Sequence, residues 1–389
     1  MGQAFSAPAL NHSQMLVRTA MIAFGVVLIL ASLNDVFQSV IVPRAVGRRL
    51  RPSYYQARMF WTLWPWLAHR MYPNNEDRRE DFLAVFAPFN LIANLMNWSL
   101  IMLVGYGAIF YALRDQVHPA LATFGEAFYF AGTSFFTIGF GDYAGTSGLT
   151  RLASLAAGAC GFGIISTTTA YLFAIFGAFQ NREQFVVTVS ARAGAPPSGV
   201  GLLAIAAHAR VVKDLPTLMR SAEMWCASLM ETHLAYPILA YFRSSHDYES
   251  WVATLGTLLD TAVLMITTVQ CDAGESRILY NIGRHATHDL SKYFRLEGDE
   301  LDPGITREQF DEACTRLEAA GLTLHDRDNA WTHFALLRRA YAGHLNALAA
   351  FFAVPTLQWL GPHSIVEAPH IREQLPPEML ERIDELQKP

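Results

Sequence analysis

A long run without a charged residue, 152 to 179, reads LASLAAGACGFGIISTTTAYLFAIFGAF. Two more runs resemble it. Thr19 to Val42 is apolar apart from Asn34 and Asp35 near its end, and Phe82 to Leu113 carries no charge. A hydrocarbon core about 30 Å thick needs roughly 20 mostly apolar helical residues, so each run predicts a membrane span. Between the second and third spans lies ATFGEAFYFAGTSF at 122 to 135, apolar enough to sit in lipid and too short to cross it. Its pattern predicts a re-entrant helix, since irregular backbone at membrane depth is tolerated only where protein buries it or a water-filled cavity adjoins it.

Beyond the third span the periodicity stays helical. ARAGAPPSG at 191 to 199 breaks the pattern with proline, glycine and small residues and marks a domain boundary. Thr217 to Phe242 and Trp251 to Val269 are apolar but interrupted, the first by Arg220, Glu223, Glu231 and His233, the second by Asp260. They read as core helices of a soluble bundle, with an extra membrane segment as the alternative. Thr306 and Gln309 stand at capping-box spacing at the start of a helix that stops near Gly321. Asn329 to Val354 predicts a further helix ended by Pro355. The expected fold is therefore an all-α membrane protein with three transmembrane helices and a re-entrant helix, followed by a helical cytoplasmic domain. Its expected parts are an N-terminal span (1–43), a basic interfacial segment (44–80), a domain of two spans around the re-entrant helix (81–180), a linker (181–199) and a helical regulatory or assembly domain (200–389).

Charge fixes the expected orientation. Between the first two spans lie Arg44, Arg48, Arg49, Arg51, Arg58, Arg70, Arg78 and Arg79, against Glu76, Asp77 and Glu80. The excess of Arg near the span ends places this loop in the cytoplasm, the N-terminus outside and everything after Gln180 inside. Within the loop, residues 54 to 72 mix Trp, Tyr and Arg as interfacial helices do, although a soluble loop helix has the same composition. Asp35 reads either as a polar cap at the cytoplasmic end of the first span or as a proton or partner contact.

Composition narrows the classes. Only 16% of residues are charged and 52% are apolar, against roughly 25% charged in an ordinary soluble domain. A formal charge of -5, with no basic run in a nucleic-acid fold signature, excludes a nucleic-acid binder. Cys160, Cys226, Cys271 and Cys314 lie far apart with no metal-ligand spacing and are expected to be reduced. The first apolar run is too long for a cleaved signal peptide.

The re-entrant helix leads directly into TSFFTIGFGD at 133 to 142. A short helix followed by Thr137, Ile138, Gly139, Phe140, Gly141 and Asp142, all between two spans, resembles the pore module of potassium channels, here over residues 82 to 180. The resemblance implies a selectivity filter in which backbone carbonyls of Thr137, Ile138, Gly139 and Phe140 replace the hydration shell of K+, with the Thr137 hydroxyl as the innermost oxygen. Glycines alternate there with residues whose side chains point away from the pore, because successive carbonyls can share one axis only at backbone angles that L-residues resist. Asp142 would anchor the outer end. Departures from the usual pattern are Phe140 in place of tyrosine, Phe136 in place of threonine and Thr133 where some bacterial channels have glutamate. They bear on the filter's support and its discrimination against Na+. One loop cannot surround an axis, so the resemblance implies a homotetramer in the lipid bilayer, in a bacterial inner membrane, with transported K+ and no further cofactor.

Gly158, Gly161 and Gly163 cluster in the third span. They read equally as close-packing residues or as a hinge, with Gly161 the candidate. Thr167, Thr168 and Thr169 face a cavity or bond within the helix. No span carries arginines every third residue, which excludes a voltage-sensor helix. No strand leads into GxGxxG, which excludes a dinucleotide-binding regulatory domain. His285, His288 and Asp289 could seed a metal or acid/base site but lack further partners at diagnostic spacing, so the chain is not expected to be an enzyme. HLAYPILAYFRSSHDYESW at 233 to 251 resembles segments of bacterial channels of this arrangement. Two alternatives to a selective channel stay open: a membrane sensor or scaffold with a silent pore, and a weakly selective cation channel.

Overall fold

The computed structural model describes residues 11–42, 52–194, 196–244, 249–297, 302–354 and 359–360. Arg44, Arg48, Arg49, Arg51, the helix stop at Pro355 and residues 245–248 of the 233–251 segment lie outside them. The chain forms two compact units, residues 1–67 with 85–174, and 68–84 with 175–389.

In the first unit, α1 (His12–Val36) passes into one wider turn at Phe37–Ile41. It packs on α4 (Phe86–Ala112) where Gly25 meets Gly105, so closely that a Cβ on Gly25 would overlap the Gly105 carbonyl oxygen. Small residues bring membrane helices together in this way, because dispersion and packing drive their association. The two helices run antiparallel. Arg18 near the start of α1 pairs with Asp115, just past α4, at 2.5 Å, and Asp35 near the end of α1 meets Trp98 within α4. Between them in sequence comes α2 (Pro52–Met71), which starts on a proline that fits the first helical turn. Trp61 packs on Phe86 and Trp64 stacks on Phe89, with ring centroids 4.7 and 5.1 Å apart. Tyr55, Met59, Leu63 and Trp66 form an exposed apolar stripe along α2.

After α4, β1 (Val117–His118) pairs antiparallel with β2 (Ala144–Gly145), so the intervening loop leaves and returns at one point. That loop holds α5 (Phe124–Phe135), the short helix expected at 122–135. Met102, Phe110, Phe130 and Phe135 form the core around it, with Phe110 and Phe130 rings 4.6 Å apart. The third span belongs to α6 (Gly148–Ala193), joined to α4 by the Tyr106 hydroxyl and Cys160 Sγ at 3.2 Å.

The second unit holds α3 (Glu76–Ala84), the later turns of α6, and α7 (Gly199–His208), α8 (Leu215–Ala235), α9 (Trp251–Thr267), α10 (Gly274–Phe294), α11 (Arg307–Ala319) and α12 (Arg327–Phe351). Nearly every residue of α9 is buried among α7, α8, α10 and α12, so this apolar run is the core helix of the bundle. Its Asp260 is held by Arg338 Nε at 2.9 Å and by the Tyr341 hydroxyl at 2.5 Å, which offsets the cost of burying a carboxylate. The capping box at Thr306 and Gln309 forms in full.

Two expected boundaries shift. Residues 181–193, expected as linker, are the last turns of α6, because nothing breaks the helix before Gly194, at φ +82°. The run expected as one helix to Phe242 ends at Ala235 and continues as a tighter turn from Pro237 to Tyr241, since Pro237 cannot extend the ladder. All four cysteines are unpaired.

Candidate ion-conduction site

Thr123 begins α5 by accepting a hydrogen bond from the Glu126 amide at 3.2 Å, and Glu126 Oε2 accepts from the Ala122 amide at 2.7 Å. The helix therefore starts on two reciprocal caps, with an acidic group at its positive end. It ends at Phe135, and the chain turns at once into TIGFGD.

There the backbone alternates. Thr137, Gly139 and Gly141 have φ of 56°, 60° and 82°, in the left-handed region, while Ile138 and Phe140 between them do not. Two of the three left-handed positions are glycines, which take this conformation without steric cost. Thr137 takes it with compensation: its amide donates to the Ser134 carbonyl at 3.1 Å and its hydroxyl to the Phe136 carbonyl at 2.7 Å. The Thr133 carbonyl receives the amides of both Ile138 and Gly139, at 2.9 and 3.2 Å. Thr133 itself is buried, its hydroxyl donating to the Phe130 carbonyl at 3.1 Å. With two of its amides engaged by one carbonyl, this segment is held from the helix side.

Past the turn, the Tyr143 ring packs edge-on against Tyr129 and tilted against Phe130, with centroids 6.1 and 6.4 Å apart. The role of Glu126 in starting α5 does not stand out in the sequence. The Thr123-x-x-Glu126 spacing of a helix start was the available signal. Residues 136 to 142 are all exposed, with Ile138 at 54% and Phe140 at 68%, and Phe136 packs edge-on against the buried Phe135.

The three glycines of α6 differ. A Cβ on Gly161 would overlap the Phe135 carbonyl oxygen, and one on Gly158 would sit 3.2 Å from the Ser134 carbonyl oxygen. Nothing lies within 4 Å of a Cβ on Gly163. That residue lines an apolar cavity of about 620 Å³, bounded by Leu30, Leu33 and Phe37 of the first helix and its last turn and by Ile164 and Thr167 of α6. Gly161→Ala should therefore push α6 off the end of α5, at roughly 1–3 kcal/mol or more for overpacking. The expected readout is a lower thermal midpoint of the purified protein in detergent, while Gly163→Ala leaves it within error. Thr169 bonds back to the Ile165 carbonyl at 2.9 Å.

Asp35 is 1% exposed and accepts three hydrogen bonds. They come from Trp98 Nε1 at 2.8 Å, the Ser53 hydroxyl at 2.9 Å and the Ser53 amide at 3.2 Å. The amide is one of the unpaired donors in the first turn of α2, so the carboxylate caps that helix while fastening it to α1 and α4. Asp35→Ala would strand these donors and should cost about 1–3 kcal/mol. Thermal unfolding in detergent reads the loss, and Asp35→Asn should recover part of it.

Residues 98–178 match the model of a family described as ion channel. A relative described as the uncharacterized membrane protein YdjJ of Bacillus subtilis (strain 168) is 24% identical over 180 residues, which are 45% of this chain and 52% of the relative. The chain thus spans about half the length of the curated relative it matches. No solved structure matches. Fold and family match together define an all-α membrane protein in which residues 98–178 resemble an ion-channel domain.

Proposed function

We propose that the protein is a potassium-selective channel in which four chains each donate residues 137 to 141 to one filter. The observation that carries this reading is the alternation of left-handed Thr137, Gly139 and Gly141 with neighbours outside the left-handed region, at the end of a capped helix. Such alternation turns successive carbonyls toward one side, where four copies would ring an ion with oxygens in place of water. The negative end of α5 lies beside the inner end of this strand and favours a cation there. Fourfold assembly accounts for the exposed apolar residues: Ile138 and Phe140 gain cover from neighbouring chains, as do Leu155 and Phe162 of α6, the latter 69% exposed.

In this reading α1, α4 and α6 cross a cell membrane with the N-terminus outside, and α2 lies on the inner surface with Tyr55, Met59, Leu63 and Trp66 in the interface. The helical unit transmits force to α6, and bending occurs at Gly163, where the adjoining cavity leaves room. Gly161 serves packing in this account and Gly163 serves motion. The protein is a passive conductor rather than an enzyme.

Tracer rubidium uptake into liposomes containing the purified chain tests the proposal. External potassium should compete with uptake and sodium should not. Equal competition by both ions would remove the claim of selectivity.

A further inference from the structure

Outside the conduction site, the second unit carries a groove of about 530 Å³ between α10 and α12. Arg284, His285 and His288 line one wall, and Arg339 and His344 the other. Five basic or titratable side chains thus converge in a chain whose net charge is -5. That concentration sets the groove apart from an ordinary solvated helix face, where an arginine usually has an acidic neighbour one turn away. Arg307 has such a partner in Asp311, and Arg220 and Arg327 pair with carboxylates on other helices, while Arg284 and Arg339 pair with no carboxylate among the described residues.

One carboxylate reaches the cluster. Asp289 holds His285 by Nε2 at 3.4 Å and His288 by Nδ1 at 3.3 Å, so each ring is steadied through one nitrogen. Across the groove the His288 and His344 rings meet edge to face at 5.4 Å, and His344 Nδ1 lies 3.3 Å from the Ser291 hydroxyl. The imidazoles are thus placed by their neighbours, and the two guanidiniums are left to a ligand. Among the described residues, no group of three His, Cys, Asp or Glu is arranged to hold a metal ion.

We propose that this groove binds a small ligand bearing two or more phosphate groups. Guanidinium presents a planar fork that matches phosphate oxygens in pairs, and two forks on opposite walls call for anionic groups on both sides of the ligand. The volume falls within the roughly 300–1,000 Å³ of small-molecule sites. Leu336, exposed at the rim, offers an apolar surface to whatever the phosphates are attached to. Inorganic pyrophosphate and a nucleoside triphosphate share the required chemistry, and the rim separates them. Binding here is independent of whether the pore conducts or what it selects.

The test is calorimetric titration of the full chain in detergent with sodium pyrophosphate and, separately, with ATP. At least one probe should bind saturably, more weakly as salt rises. The Arg284→Gln/Arg339→Gln double variant should lose at least tenfold in affinity, with an unchanged helical circular dichroism spectrum and thermal midpoint. Lys213→Gln, exposed and away from the groove, should bind as the parent does. Tighter ATP binding that Leu336→Ala weakens would assign a nucleoside-bearing ligand, and equal binding of the two probes would assign the phosphates alone. Failure of both probes to bind the parent, or equal affinity in the double variant, overturns the proposal.

Discussion

Replacing Gly139 by alanine should abolish cation flux and leave an assembled, folded protein. Gly139 sits at φ +60°, where a residue with a Cβ is destabilised by roughly 1–2 kcal/mol. The cost is conformational, because nothing lies within 4 Å of the Cβ position. In a fourfold filter it would fall on every copy. In the proposed filter the strand would escape by rotating the peptide, turning a carbonyl away from the axis and breaking the oxygen ring. Thr137 tolerates a similar angle because two hydrogen bonds hold it, and Gly139 has only its amide contact to Thr133. Liposome flux and size-exclusion elution read the two halves of this expectation. Flux through Gly139→Ala equal to the parent's would show that the alternation has no part in conduction.

Arg182→Ala is expected to give the largest loss of stability. This arginine, on the later part of α6, is buried in the second unit, where it donates to Glu183 at 2.8 Å, the Leu239 carbonyl at 3.0 Å and the Phe242 carbonyl at 2.8 Å. Truncation leaves a buried carboxylate without its cation and two carbonyls without donors, a loss of roughly 3–5 kcal/mol. For a unit of this size that corresponds to a fall of roughly 6–20 °C in thermal midpoint. Arg182→Met paired with Glu183→Gln should recover part of it, since no unpaired charge then remains.

The same cluster gives a pH dependence. His233 Nε2 lies 3.4 Å from Arg182 Nη1, while Nδ1 donates to the Leu229 carbonyl at 2.8 Å. Burial first, and then the Arg182 charge, push its pKa well below the usual range. The unfolded chain therefore binds a proton more readily than the folded one. Stability from this group is complete above about pH 6.5 and declines as pH falls toward the lowered value. Thermal midpoints across this range should show a slope that His233→Gln reduces.

The elements written in local pattern were legible in the sequence. Three apolar runs gave the membrane-spanning helices, Thr306 and Gln309 gave a capped helix, and the short apolar segment before TIGFGD gave α5. Contacts made at a distance were not. Asp35 finds partners 18 and 63 residues away, so its burial shows only once α1, α2 and α4 are assembled. Gly161 and Gly163 look alike in sequence, and what separates them is the Phe135 carbonyl packed against one and open space beside the other. Arg182 fell within a presumed linker because a single arginine after an apolar run resembles an ordinary helix end.

The central claim is a filter that passes potassium and excludes sodium, and the reversal potential of purified protein in a planar bilayer tests it most directly. With potassium on one side and sodium on the other, the account predicts current that reverses far toward the potassium equilibrium potential. A reversal near zero, with both ions carrying equal current, would contradict it.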